Sequence, residues 1–169
     1  HKTRWDLQNR DIDAMTVGGQ AVPETPGDCT LAGHMLINRM NATQAAIYHL
    51  GVEAPEMPDA SGYTDVTEAT LLVALFGPMA FRVAEKLTNL DFMDPAKEAP
   101  FLLQGPFGHV PCQIVALEKT PDGSGGFLLS CSRGYGESMV GAILQAGAEF
   151  GLRPAGENRF DIWIQGLRR

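Results

Sequence analysis

From Tyr63 onward the hydrophobic and polar positions fall into recognisable periods. Thr67–Phe76 (TEATLLVALF) is a continuous apolar and β-branched run, which predicts a buried strand. Gly77-Pro78 ends that strand and opens a helix, since a proline in the first helical turn loses no hydrogen bond. Over Met79–Leu90 the apolar residues Ala80, Phe81, Val83, Ala84, Leu87 and Leu90 recur at helical spacing. Asp91–Gly108 holds three prolines and two glycines, which predicts an irregular segment. Val110–Leu117 (VPCQIVAL) reads as a second strand, Pro121–Gly126 as a hairpin turn built on Asp-Gly, and Phe127–Cys131 as its partner. From Ser138, an apolar face of Met139, Val140, Ile143, Leu144, Ala148 and Phe150 predicts a second helix closed by Gly151. Phe160–Ile164 alternates, as a half-buried strand does. The order is β-α-β-β-α-β, an α+β class with an antiparallel sheet and helices on one face.

The first 62 residues are less regular. Trp5–Met15 is polar, Thr16–Val22 fits a strand interrupted by glycine, and Pro23–Asp28 is a turn cluster. Asn41–Leu50 reads as a short helix stopped by Gly51, and Val52–Gly62 as a linker. The expected division is an extension or small subdomain over 1–62 and an α+β domain over 63–169.

Composition narrows the function classes. The 169 residues are 44% hydrophobic and 20% charged, as in ordinary globular domains. No apolar run approaches the ~20 residues of a membrane span. The formal charge is −7, with 13 basic against 20 acidic residues, which opposes a nucleic-acid or anionic-membrane partner. Three cysteines, Cys29, Cys112 and Cys131, form no C-x-x-C, and an odd count points to a reducing cytoplasm. Cys112 and Cys131 sit in strand-like stretches, where thiols act as small hydrophobes.

No complete catalytic constellation is visible. Gly134-Tyr135-Gly136 lies between a strand and a helix, but the next glycine, Gly141, is misplaced for a dinucleotide loop. His34, His49 and His109 lack metal-ligand spacing. Ser138 falls at a helix start, where its hydroxyl serves as a cap. Asp65, Glu68 and Glu137 are the carboxylates placed to serve a site. Phe92, Phe101 and Phe107 in the proline-broken segment, with Trp163 near the end, are candidates for a contact surface.

Two stretches carry a family resemblance. Thr64–Thr70, Leu75–Ala80 and Leu87–Asp91 resemble the D-[VL]-[ST], G-P-x-A and L-x-x-L-D run of the glycine-cleavage T-protein superfamily. Phe127–Leu129, Arg133–Met139 and Ala148–Gly151 resemble the small gamma subunit of heterotetrameric sarcosine oxidase, and equally the small subunit of N-methylglutamate dehydrogenase. Gly151–Gly156 resembles the G-L-x-P-A-G turn of T-protein, whose following motif is reduced here to Arg159-Phe160-Asp161.

The resemblance implies a T-protein-like fold and an accessory subunit that carries no cofactor itself. Partner alpha and beta subunits would hold FAD, FMN, NAD and tetrahydrofolate, and a small delta subunit zinc. The implied reaction is oxidative demethylation of a secondary amine coupled to tetrahydrofolate. Two alternatives stay open. One is a stand-alone folate-dependent aminomethyltransferase using Asp65 and Glu137 as acids, and the other is a non-catalytic small-molecule-binding module.

Overall fold

A computed structural model describes residues 2–53 and 55–167. Two antiparallel sheets pack face to face; two helices cover the outer face of the second, and a third packs on the layer between the sheets.

The first sheet comprises β1 (Thr3–Gln8), β4 (Cys29–Ala32), β5 (Met35–Asn41), β6 (Gln44–His49) and β7 (Tyr63–Asp65), in the order β4-β5-β6-β1-β7. A small hairpin, β2 (Thr16–Val17) with β3 (Gln20–Ala21), turns at Gly18-Gly19. Both glycines have positive φ, the conformation that two-residue hairpin turns require. β1 is the unexpected strand: Trp5 and Leu7 alternate with Arg4 and Asp6, and it pairs with β6 on one side and β7 on the other. β7 follows directly on the 62/63 division and belongs to this first sheet.

The expected helix over Asn41–Leu50 is a strand. Asn41 Oδ1 accepts the Thr43 N–H, which turns the chain, and β6 returns along β5. Its alanines favour a helix locally, but Ala45, Ala46, Ile47 and Tyr48 are all buried, on both faces of a central strand. Tertiary pairing outweighs a propensity worth tenths of a kcal/mol per residue.

The second sheet comprises β8 (Thr70–Gly77), β9 (Phe101–Phe107), β10 (Val110–Lys119) and β11 (Gly125–Ser132), in the order β8-β11-β10-β9. β8 is preceded by a single 3-10 turn over Thr67–Ala69. β9 lies where an irregular segment was expected. Its prolines do not exclude it, because β9 is an edge strand and an edge tolerates a missing N–H. Gly108 and His109 make the two-residue turn into β10, both at positive φ. That is the role of His109, one of three candidate histidines.

The helices are α1 (Ala80–Ala84), α2 (Gly136–Gly147) and α3 (Glu157–Gly166). α1 is shorter than its apolar periodicity predicts and breaks into turns closed on the Ala84 carbonyl. α3 replaces the final strand. Phe160 and Ile164, with Trp163 and Leu167, lie at i, i+3, i+4 and i+7, one face of a helix. The α+β class with antiparallel sheets stands, while the order from Tyr63 reads β-β-α-β-β-β-α-α.

Alternation along β8 sorts its side chains. Leu71, Val73 and Leu75 join the cluster under α1 and α2, with Phe81, Phe107, Phe127, Met139 and Ile143. Leu72 and Ala74 join the layer between the sheets, with Tyr48, Leu102, Leu128 and Ile164. A third cluster of Trp5, Leu7, Ile12, Val17 and Ile37 backs the first sheet.

Candidate binding cleft

A cleft of about 890 Å³ runs along β8, between α2 and the Leu152–Gly156 segment that leads into α3. Its place follows from topology. β8 is an edge of the second sheet and, among the described residues, pairs only with β11. Alternate N–H and C=O groups of such a strand point away from the sheet, and no backbone hydrogen bond among the described residues reaches them. The chain passing from α2 to α3 skirts this edge without pairing to it. Its own bonds run elsewhere, from the Leu152 N–H to the Gly147 carbonyl and from the Arg159 N–H to the Gly156 carbonyl.

The walls are apolar. Val140, Ile143 and Leu144 of α2 stand over one face of β8, and Phe160 over the other. Val140 and Leu144 remain 39% and 38% exposed, although they lie on the apolar face of α2. Helical spacing alone marks both as core residues; their exposure follows from the unpaired strand edge beside them.

The rim is cationic in a protein that is anionic overall. Lys2, Arg133, Arg153 and Arg159 line the cleft, against the carboxylates Glu68 and Glu157. Lys2 is held by Glu157 at 3.1 Å and Asp161 at 3.0 Å, and Arg133 by Glu68 at 2.7 Å. Arg153 and Arg159 are exposed and take part in no ion pair among the described residues.

A second polar cluster joins the two sheets. Arg4 of β1 is buried. It donates through Nη1 to Thr70 Oγ1 at 3.1 Å and through Nη2 to Asp6 Oδ1 at 3.0 Å and Gln113 Oε1 at 3.3 Å. Its guanidinium also lies over the Tyr48 ring. Burial pushes the Tyr48 hydroxyl up from its ordinary pKa, opposed by the nearby Arg4 charge and by the Ser130 hydrogen bond. Among the described residues, Thr3, Asn38, Arg39 and Ser130 are the other buried polar residues. Arg39 donates to the carbonyls of Asn41, Pro23 and Ala42, which ties the β2–β3 region to the first sheet.

The residues singled out from sequence are dispersed. Asp65 sits in β7 and its Oδ1 accepts the Thr67 N–H, a local turn contact. Glu137 is exposed in the first turn of α2, and no hydrogen bond or ion pair among the described residues links it to Asp65. Glu68 reaches the cleft rim. Ser138 does not cap α2; its Oγ donates to the Tyr135 carbonyl one turn back. Gly134 and Tyr135 lie in a 3-10 turn over Arg133–Tyr135 that leads from β11, and Gly136 opens α2. The His34 and His49 rings lie 5.6 Å apart, a proximity created by the return of β5 along β6. Among the described residues no group of three or more metal-ligating side chains converges.

The expected contact aromatics are also relocated. Phe92, Phe101 and Phe107 are 3%, 4% and 0% exposed and belong to the cluster under α1. Buried rings cannot meet a partner. Trp163 stacks on Phe76 at 4.7 Å, and its indole N–H donates to Glu118 at 2.9 Å. Cys112 and Cys131 are buried, as their strand settings predict. Burial raises both thiols, Cys112 to about 12. The cleft is not visible in the sequence because its components lie in several separate stretches, from Lys2 to Phe160. The one local signal was Gly151–Gly156, a turn between two elements that must lie on opposite faces of the sheet.

No family model matches the chain. Over 92 residues it is 36% identical to an aminomethyltransferase of Geobacillus thermodenitrificans (strain NG80-2). The match covers 54% of this chain and 24% of the relative, so the chain spans about a quarter of that protein's length. Its fold is similar to that of a chain in the heterotetrameric sarcosine oxidase of Corynebacterium sp. U-96, solved in complex with pyrrole 2-carboxylate. The TM-score is 0.67 at 13% identity, covering 92% of this chain and 84% of that one.

Proposed function

We propose that this chain is an accessory, gamma-type subunit of a multi-subunit flavin-dependent complex that oxidatively demethylates an N-methyl amine, coupled to tetrahydrofolate. The observation that carries this reading is the two-way coverage of the fold likeness. The likeness covers 92% of this chain and 84% of a chain in a heterotetrameric oxidase. The match to the aminomethyltransferase, by contrast, is to about a quarter of a larger protein.

In this reading FAD, FMN, NAD, tetrahydrofolate and zinc belong to larger alpha and beta subunits and a small delta subunit, where a flavin supplies the two-electron oxidation of the amine. This chain contributes surface and rigidity. Its two sheets pack on one another through a shared apolar layer, and the β8 cleft, apolar inside and cationic at the rim, is the surface suited to a partner. The two halves, 1–62 and 63–169, are proposed to act as one unit across the Arg4–Tyr48 cluster.

The test is to purify the full chain from its own cells and record native mass and visible spectrum. A species several times 18.2 kDa with flavin absorbance is the expected result. A colourless species at the monomer mass overturns the reading.

The 36% identity to an aminomethyltransferase favours a second reading, a folate-dependent one-carbon transferase. It needs Asp65 and Glu137, or other residues, to converge on a pterin. Titration with tetrahydrofolate separates the two: saturable binding to the isolated chain supports the transferase, and none removes it.

A further inference from the structure

We propose that the open edge of β8 is completed by an extended segment of a partner polypeptide carrying acidic side chains, added as a fifth strand to the second sheet. The inference rests on the accessory-subunit reading and names the surface through which that subunit docks.

Three observations select this occupant. First, the cleft floor is a backbone edge. Eight residues at roughly 3.3 Å per residue present a row of about 26 Å in which N–H and C=O groups alternate. A polypeptide strand satisfies donors and acceptors together, which is how strand addition gains affinity. A small carboxylate would leave most of that row unmet.

Second, an added strand would be covered on both faces. Val140 and Leu144 overhang one side of β8 and Phe160 the other. Side chains that alternate along an incoming strand would meet apolar surface in both directions. This accounts for two exposed aliphatic side chains on a helix whose Met139 and Ile143 are buried.

Third, the rim fixes the charge. Arg153 and Arg159 are cations without carboxylate partners among the described residues, in a chain with a formal charge of −7. A second copy of the same edge would bring like charges together, whereas acidic side chains flanking an incoming strand would pair them.

The experiment compares amide hydrogen exchange of Thr70–Gly77 in two preparations of the full chain: recombinant chain alone, and chain recovered with its partners from its own cells. The expected result is at least ~10-fold slower exchange at alternate residues of β8 in the complex. The intervening amides, already bonded to β11, should change little. The double variant R153E/R159E should be recovered with partners at least ~10-fold less efficiently at low salt. A complex that forms while β8 exchange is unchanged overturns the inference and leaves the accessory-subunit reading standing. Undiminished recovery of R153E/R159E overturns the acidic character of the occupant. Alternate protection in a homodimer of the recombinant chain assigns the edge to a second copy and overturns it also. Failure to recover any complex overturns both readings.

Discussion

Tyr48 Oη and Ser130 Oγ stand 2.7 Å apart, carried by opposite sheets. Tyr48 also donates to Gln113 Oε1 at 3.2 Å, so its hydroxyl accepts from Ser130 and donates to Gln113. Arg4 extends the bridge from β1 to Gln113 and Thr70. The layer around these groups is otherwise apolar, and apolar contacts are non-directional, so the polar contacts are the ones that favour one register of the sheets.

Replacing Tyr48 with Phe keeps the ring and removes both contacts. Ser130, 2% exposed, then loses its hydroxyl partner inside the protein. The expected loss is about 1–3 kcal/mol of stability, read as a lower urea midpoint. In the double variant with Ser130→Ala, part of that loss should return, because the stranded hydroxyl is gone. No recovery in the double variant would show that Tyr48 acts through packing.

Gly126 lies beneath Trp163. A Cβ there would fall 2.3 Å from Trp163 Cζ2 and 2.8 Å from Phe76 Cβ. Gly126→Ala should lift the indole from its stack and break its bond to Glu118, at a cost of about 2–3 kcal/mol. In a Trp5→Phe background, Trp163 emission should shift to the red. An unshifted spectrum would mean that β11 and α3 part without disturbing the ring.

Gly125 is constrained by backbone. A Cβ would sit 2.3 Å from the Glu118 carbonyl oxygen and 2.7 Å from the Phe81 ring, beside the bulge between Ala116 and Glu118. A carbonyl in a paired strand has nowhere to go. Gly125→Ala should therefore lower the melting temperature more than Gly126→Ala, where a ring can swing away. The reverse order in a thermal scan would contradict this account.

Burial raises Cys112 from 9.0 to about 12 and moves Cys131, Cys29 and Tyr48 in the same direction. The unfolded chain therefore gives up these protons first as pH rises. Their contribution to stability is complete below about pH 9 and is lost as the pH climbs through 12. The urea midpoint should fall between pH 8 and pH 10.5. Cys112→Ala should flatten the decline, whereas a flat profile in the parent chain would exclude buried thiols as its cause.

Much of the second sheet was legible from sequence because each strand carries its own signal. Val110–Leu117 and Phe127–Cys131 are apolar runs on either side of an Asp-Gly turn, and both lie within observed strands. The errors arise where the deciding interaction is distant. Asn41–Leu50 is alanine-rich and becomes a strand only because β1 and β5 flank it. Phe160–Ile164 satisfies both periods over five residues, and the longer set through Leu167 decides for the helix. Phe101–Phe107 is hidden by Pro106, whose cost disappears at a sheet edge. The cleft depends on edge position and on which face each helix takes, and neither is written in any local window.

The far edge of the second sheet has a different character. At its start β9 is tied to the Gly27–Asp28 turn, with the Leu102 N–H donating to the Gly27 carbonyl. At its end Pro106 faces Pro111 and offers no N–H. One margin is blocked and the other is open, so this sheet has a valence of one. A strand can join it at β8, but nothing can then continue from β9. Edge-to-edge addition to this sheet is therefore confined to its β8 side.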